Sequence, residues 1–191
     1  METGEVADRY GMPAIALHWL TALLIVCGFS LGLSMVGLPI SRQKLQWYAW
    51  HKWIGITIWL LTCVRLAWRL GHPAPPLPPM PAWQRRAAAL SHGLLYVLLL
   101  CIPVSGWLYS SATGVQVVYL GLVPLPDLVA RDRDLGRVLR TVHETLNFTL
   151  LAVVCLHAAA ALKHHFVDRD TVLSRMLPAR KGKTDWKMTG K

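Results

Sequence analysis

Four long stretches of this chain carry almost no charge, and that pattern restricts the fold more than any other feature. Residues 14–36 form 23 consecutive positions without Asp, Glu, Lys or Arg. A hydrocarbon core about 30 Å thick is crossed by roughly 20 helical residues, so this run is long enough to span it. A secretory leader would need a basic start and a shorter apolar stretch, whereas Glu2, Glu5 and Asp8 precede Arg9 here. Residues 47–70 form a second run. The segment 71–82 then carries six prolines, which cannot continue a helix and favour an extended connector. A third run follows Arg85 and Arg86 and stays uncharged until Asp127, with a helical part at 87–111 that Pro103 is expected to bend. Residues 114–126 read as a partly apolar loop at the membrane interface. The fourth run covers 137–166, and a basic tail occupies 167–191.

The expected fold is therefore all-α: one domain over residues 1–191, an integral membrane four-helix bundle. Composition agrees, with charged residues at 16% against the roughly 25% of soluble domains. The net charge of +10 would suggest nucleic acid in a soluble protein. Here the basic residues flank apolar runs, so they read as a topology signal and an attraction to the lipid bilayer, and no nucleic-acid partner is expected. Cys27, Cys63, Cys101 and Cys155 each fall in a different run, without metal-binding spacing, and behave as small hydrophobes.

An even number of spans puts both termini and the proline-rich linker on one side. That side holds 13 Lys and Arg: Arg9, Arg65, Arg69, Arg85, Arg86 and eight from Lys163 onward. The other side holds seven: Arg42, Lys44, Lys52, Arg131, Arg133, Arg137 and Arg140. The bias places both termini and the linker in the cytoplasm.

Ionisable residues inside spans default to a functional reading, and five histidines fall there: His18, His51, His92, His143 and His157. His143 and His157 are 14 residues apart, close to four turns, so they share a helix face about 21 Å apart along the axis. One helix thus offers a ligand to each of two sites stacked across the bilayer. His18 matches the depth of His157 on the inner side, and His51 matches His143 on the outer side. Haem iron takes two axial imidazoles from opposite faces, and helical bundles build such sites from facing side chains. Two b-type haems are the expected cofactors, one on each histidine pair. Gly32 lies 14 residues after His18, and Gly55 one turn after His51; both are expected to clear space beside the outer haem. Arg65 lies 14 residues after His51, at the inner depth. It either pairs with a haem propionate or snorkels to the surface. His92 shares that depth and either displaces His18 as ligand or makes a supporting contact around the haem.

Other readings fit less well. Zinc usually takes four ligands at one point, and only His18, His92 and His157 share a level. A proton relay normally enlists carboxylates, and Glu144 is the only acid near a span interior. A transporter or metal carrier would leave two matched histidine depths unexplained.

The pattern resembles the bacterial cytochrome b561 family, particularly its small four-helix members that act as superoxide:ubiquinone oxidoreductases. The matching stretches are Ile15-Ala16-Leu17-His18-Trp19, His51-Lys52-Trp53-Ile54-Gly55, Val64-Arg65-Leu66, His92 and Ile102-Pro103-Val104-Ser105-Gly106. The longest are Val142-His143-Glu144-Thr145-Leu146, Leu156-His157 through Lys163-His164-His165-Phe166, and Asp170 to Met176. The resemblance implies the same pairing, His18 with His157 and His51 with His143. It also implies a bacterial inner-membrane protein that moves electrons between superoxide, or a soluble redox donor, outside and membrane ubiquinone. Lys163, His164, His165 and Arg175 are the quinone candidates, though the first three also read as an interfacial basic belt. Basic outer residues can attract an anion such as superoxide, a field that Asp127, Asp132 and Asp134 dilute. A second expectation is a cytochrome b subunit that links quinones to a separate hydrogenase or reductase.

Overall fold

A computed structural model of the chain describes residues 9–76 and 78–178. The tail residues Arg180, Lys181, Lys183, Lys187 and Lys191 lie outside the described residues. Four long helices follow one another: α1 Met12–Val36, α2 Arg42–Gly71, α3 Ala82–Ala112 and α4 Arg133–Lys163. Each is long and apolar enough to cross a membrane.

Local chemistry sets their ends. Helix α1 begins after Gly11 with Pro13 in its first turn, where a missing N–H costs nothing. Ser41 caps α2 by accepting from the Lys44 N–H, and Asp132 caps α4 by accepting from the N–H groups of Asp134 and Leu135. Helix α3 runs through Pro103 to Ala112. Helix α4 continues into a π-helical turn, His164–Asp168, which ends on Arg169 in the left-handed region at φ 54°. The loop expected at 114–126 contains a small antiparallel hairpin, β1 Val118–Tyr119 with β2 Val123–Pro124. No alternating pattern in the sequence announces strands this short.

Sequential helices pack side by side, α1 on α2, α2 on α3 and α3 on α4. The ring closes where Phe29 of α1 meets Phe148 of α4 edge-to-face, with centroids 6.0 Å apart. Ile58, Leu98, Leu99, Ile102 and Leu150 form the core at mid-height. Outside it, large apolar side chains are exposed all round, among them Val26 at 63% and Leu156 at 71%. Such a surface suits lipid, not water. Three of the five buried hydroxyls are satisfied within their own helix, Thr21 donating to Leu17 O, Thr62 to Ile58 O and Ser105 to Ile102 O, while Ser110 donates to Val115 O and Ser111 accepts from the Leu128 N–H of the following loop. That internal pairing is what a hydrocarbon environment demands.

The first and last described residues lie at one end of the bundle. Arg9 donates to the carbonyls of Ser174 and Leu177, and Arg175 donates to the carbonyl of Pro76 in the linker. At the opposite end the 113–132 loop is tied to α2 and α3. Trp53 donates to Val118 O, Thr57 pairs with the Tyr119 hydroxyl, and Trp107 donates to Pro126 O.

Candidate functional site

The intramembrane histidines form two groups, one near each end of the bundle. Near the loop end, His51 of α2 faces His143 of α4, with ring centres 6.2 Å apart and planes at 86°. Near the terminal end, His18 of α1 faces His157 of α4 at 6.3 Å and 63°. A metal–imidazole bond of about 2.0 Å, plus about 1.1 Å from nitrogen to ring centre, puts two imidazoles on opposite sides of one metal about 6.2 Å apart. Both pairs have that spacing. His92 of α3 stands edge-on to His157 at only 5.2 Å, too close for those two rings to sit on opposite sides of a metal. Its position is that of a packing neighbour of the pair.

The loop-end pair is held from behind. His51 Nδ1 lies 2.9 Å from Gly28 O. His143 Nδ1 lies 3.1 Å from Ile102 O and 2.9 Å from Ser105 Oγ, while the Ser105 hydroxyl itself donates to Ile102 O. A carbonyl only accepts, so these contacts place the ring proton on Nδ1 and leave the Nε2 lone pair available to a metal. His51 and His143 border a cavity of about 60 Å³, lined also by Gly55, Pro103, Asn147 and apolar side chains. Its walls are predominantly apolar, the kind of lining a macrocycle requires.

The glycines divide the work differently from the sequence expectation. Gly32 does not face the cavity: a Cβ there would lie 3.3 Å from His51 Cε1, so this glycine lets the His51 ring approach α1. Gly28 does the same for Ile54, at 3.1 Å, so the pair Gly28 and Gly32 shapes the α1–α2 contact. Gly55 does border the cavity, and a Cβ there would meet nothing within 4 Å. Gly106, to which sequence reasoning gave no role, presses closest of all: a Cβ there would be 2.9 Å from His143 Cε1.

At the terminal end Arg65 lies where the 14-residue step from His51 puts it. Its Nη2 is 3.2 Å from His18 Nδ1, and its guanidinium sits 5.6 Å from the centre of the Tyr96 ring. Trp19 packs edge-to-face on His18 with centroids 5.2 Å apart.

The quinone candidates gather beyond His157. Lys163 pairs with both carboxylate oxygens of Asp168, at 2.9 and 2.7 Å. His164 Nδ1 is 2.6 Å from Asp170 Oδ2, His165 lies against Phe166 at 4.8 Å, and Arg175 Nε donates to Thr171 Oγ1 at 3.1 Å.

A membrane bundle with paired imidazoles at two depths defines a class of protein, the membrane cytochromes, in which facing helices grip a redox cofactor. The comparisons narrow the class. The family model described as prokaryotic cytochrome b561 matches residues 9–179, and the chain belongs to that family. It is 36% identical over 182 residues to cytochrome b561 homolog 2 of Escherichia coli K12, covering 93% of this chain and 95% of that one. It is 32% identical over 180 residues to the probable superoxide oxidase CybB of Yersinia pestis, covering 91% and 98%. The chain is thus a membrane electron-transfer protein of a family built around b-type haem. Spacing, freed Nε2 atoms and the apolar lining at the loop end fit such a group.

Proposed function

We propose that this protein is a di-haem b cytochrome that takes electrons from superoxide on the outer side and delivers them to ubiquinone. His51 and His143 are the axial ligands of the outer haem, and His18 and His157 those of the inner one. Both termini lie in the cytoplasm, as the excess of basic residues on that side supports. The observation that carries the reading is the repeated spacing of 6.2 and 6.3 Å between imidazoles on facing helices. The donor is supported by the likeness to a relative named as a probable superoxide oxidase.

The haems supply one-electron chemistry across the bilayer. Two superoxide anions each give up one electron and leave as dioxygen. One ubiquinone takes both electrons and two protons to become ubiquinol. Arg65 would balance charge at the inner site: with His18 ligating through Nε2 the ring proton would sit on Nδ1, leaving the guanidinium to pair with a propionate. His92 supports His157 by packing on its edge. Among the quinone candidates, His164 is the best oriented. Asp170 holds its Nδ1, so Nε2 is left to face the ligand, donating as N–H to a quinone carbonyl oxygen or accepting as a lone pair from a quinol hydroxyl.

The test is haem content and superoxide-dependent ubiquinone reduction by the purified chain. Two haems per chain, one after His143→Ala and one after His18→Ala, together with activity of the isolated chain, are expected. One haem in the unaltered protein overturns the pairing. Inertness toward superoxide, together with co-purification of a soluble redox subunit, overturns the enzyme reading in favour of an electron-transfer subunit.

A further inference from the structure

Beyond the π-helical turn the chain does not leave the bundle. Residues 170–177 cross the terminal end as a strap with four separate fastenings. Asp170 is bonded to His164 of the π-helical turn, and its Oδ1 also accepts from the Val172 N–H at 2.9 Å. Arg175 reaches the carbonyl of Pro76 in the linker. Arg9, before α1, donates to Ser174 O at 2.9 Å and to Leu177 O at 2.7 Å. The fourth fastening is the Trp19 indole N–H, which donates to Met176 O at 2.7 Å.

That last bond ties the strap to the inner histidines. The indole meets the His18 imidazole edge-to-face, 5.2 Å between centroids with planes at 79°. On its other sides the imidazole is bounded by Arg65 and His157. With its N–H bonded to a backbone carbonyl, the indole cannot turn about its side-chain torsions without giving up a short hydrogen bond. It is therefore a fixed wall against one edge of His18, whose freedom is rotation about its own χ2, a broad torsion with weak intrinsic preference.

We infer that Trp19 is a positioning residue that sets the ring orientation of His18, and that the strap, through the Met176 carbonyl, holds Trp19 in place. This rests on the proposal that His18 is an axial ligand of the inner haem. The orientation of an axial imidazole governs how its orbitals overlap with the iron, so the spectroscopic signature of the inner haem is the direct readout. A tryptophan serving only as an interfacial anchor would leave that signature alone.

The experiment compares Trp19→Phe, which keeps a ring against His18 but loses the bond to Met176, with Trp19→Leu, which loses both. Arg9→Gln loosens the strap without touching His18. The holoprotein is examined by low-temperature EPR of each ferric haem and by redox titration, with His18→Ala as reference. Expected is a shifted and broadened low-spin signal of the inner haem in Trp19→Phe, a larger shift in Trp19→Leu and a smaller one in Arg9→Gln, while the outer signal is unmoved. Unchanged inner signals in Trp19→Phe and Arg9→Gln overturn the inference even if Trp19→Leu fails to accumulate. Retention of both haems in His18→Ala is a different failure. It removes the ligand assignment itself, and any effect at Trp19 then belongs to packing.

Discussion

Gly106 of α3 lies so close to His143 of α4 that a Cβ at that glycine would be 2.9 Å from the imidazole Cε1. The ring is also fixed from behind by Ser105 and Ile102, so it has nowhere easy to retreat. Gly106→Ala is expected to displace His143 at a cost on the order of 1–3 kcal/mol, the usual range for overpacking. Loss or high-spin conversion of the outer haem, with the inner haem retained, is the outcome to look for in the reduced-minus-oxidised spectrum. Two normal low-spin haems in that variant would mean that His143 tolerates displacement or is not a ligand.

Gly55 provides the contrasting substitution. It borders the cavity and has open space where a side chain would start. Gly55→Phe should fill that space without disturbing the helix contacts, so the protein inserts normally but carries one haem per chain. Full haem content after this change would place the outer group elsewhere.

Ser105→Ala tests a smaller effect. His143 keeps the Ile102 carbonyl at 3.1 Å but loses the hydroxyl oxygen at 2.9 Å. Hydrogen bonds accepted from Nδ1–H make an imidazole a more basic ligand and favour the oxidised metal. Removing one should raise the midpoint potential of the outer haem while both haems stay bound. A potential that falls, or moves only at the inner haem, contradicts the assignment.

How much of this was legible in the sequence follows from what each feature depends on. The helices and the two histidine levels rest on period and rise, which are properties of any α-helix, so the 14-residue step from His143 to His157 put one of them in each histidine group. The same step found Arg65 beside His18. It failed for Gly32, because depth alone does not say whether a glycine faces a cavity or a neighbouring helix; the space at Gly32 holds the His51 ring. Ser105 and Gly106 stood in a stretch that marked the resemblance, but their roles depend on how α3 rotates against α4, which no single-helix argument sets. The Gly28 carbonyl and the Met176 carbonyl left no signal at all, since a backbone acceptor is identical at every residue.

The two haems should differ in potential. Near the inner pair a guanidinium lies within 3.2 Å of a ligand ring, and a fixed positive charge favours the state that holds an added electron. At the outer pair both imidazoles donate to backbone carbonyls, which favours the oxidised state and outweighs the neighbouring Lys52 ammonium, which is turned to the Val115 carbonyl of the loop. The inner haem is expected to have the higher potential, so electrons run downhill from outside to inside. Arg65→Gln should lower the inner potential toward the outer one. Equal potentials in the unaltered protein, or no response to Arg65→Gln, would remove this account of direction.

In the proposed reaction, capture of superoxide is the step most exposed to long-range charge. Among the outer cations Lys52, Arg131, Arg133, Arg137 and Arg140, Arg137 is paired with Asp134 and Arg140 with Glu144 at 2.8 Å, which cancels most of their distant field. Arg131 is laid along Gly114. Lys52 is next in sequence to His51, half-buried, with its Nζ 3.3 Å from Val115 O, so its charge sits beside the outer histidines without an acidic partner among the described residues. Steering by such a charge acts on the association rate and is screened beyond about 10 Å at 0.1 M salt. Lys52→Glu should slow superoxide oxidation several-fold at low ionic strength, and the gap from the unaltered protein should close as salt is added. Arg137→Glu should have a much smaller effect under the same conditions. Comparable losses in both, or a Lys52→Glu defect that salt does not relieve, would show that Lys52 acts through packing of the 113–132 loop and not through its charge.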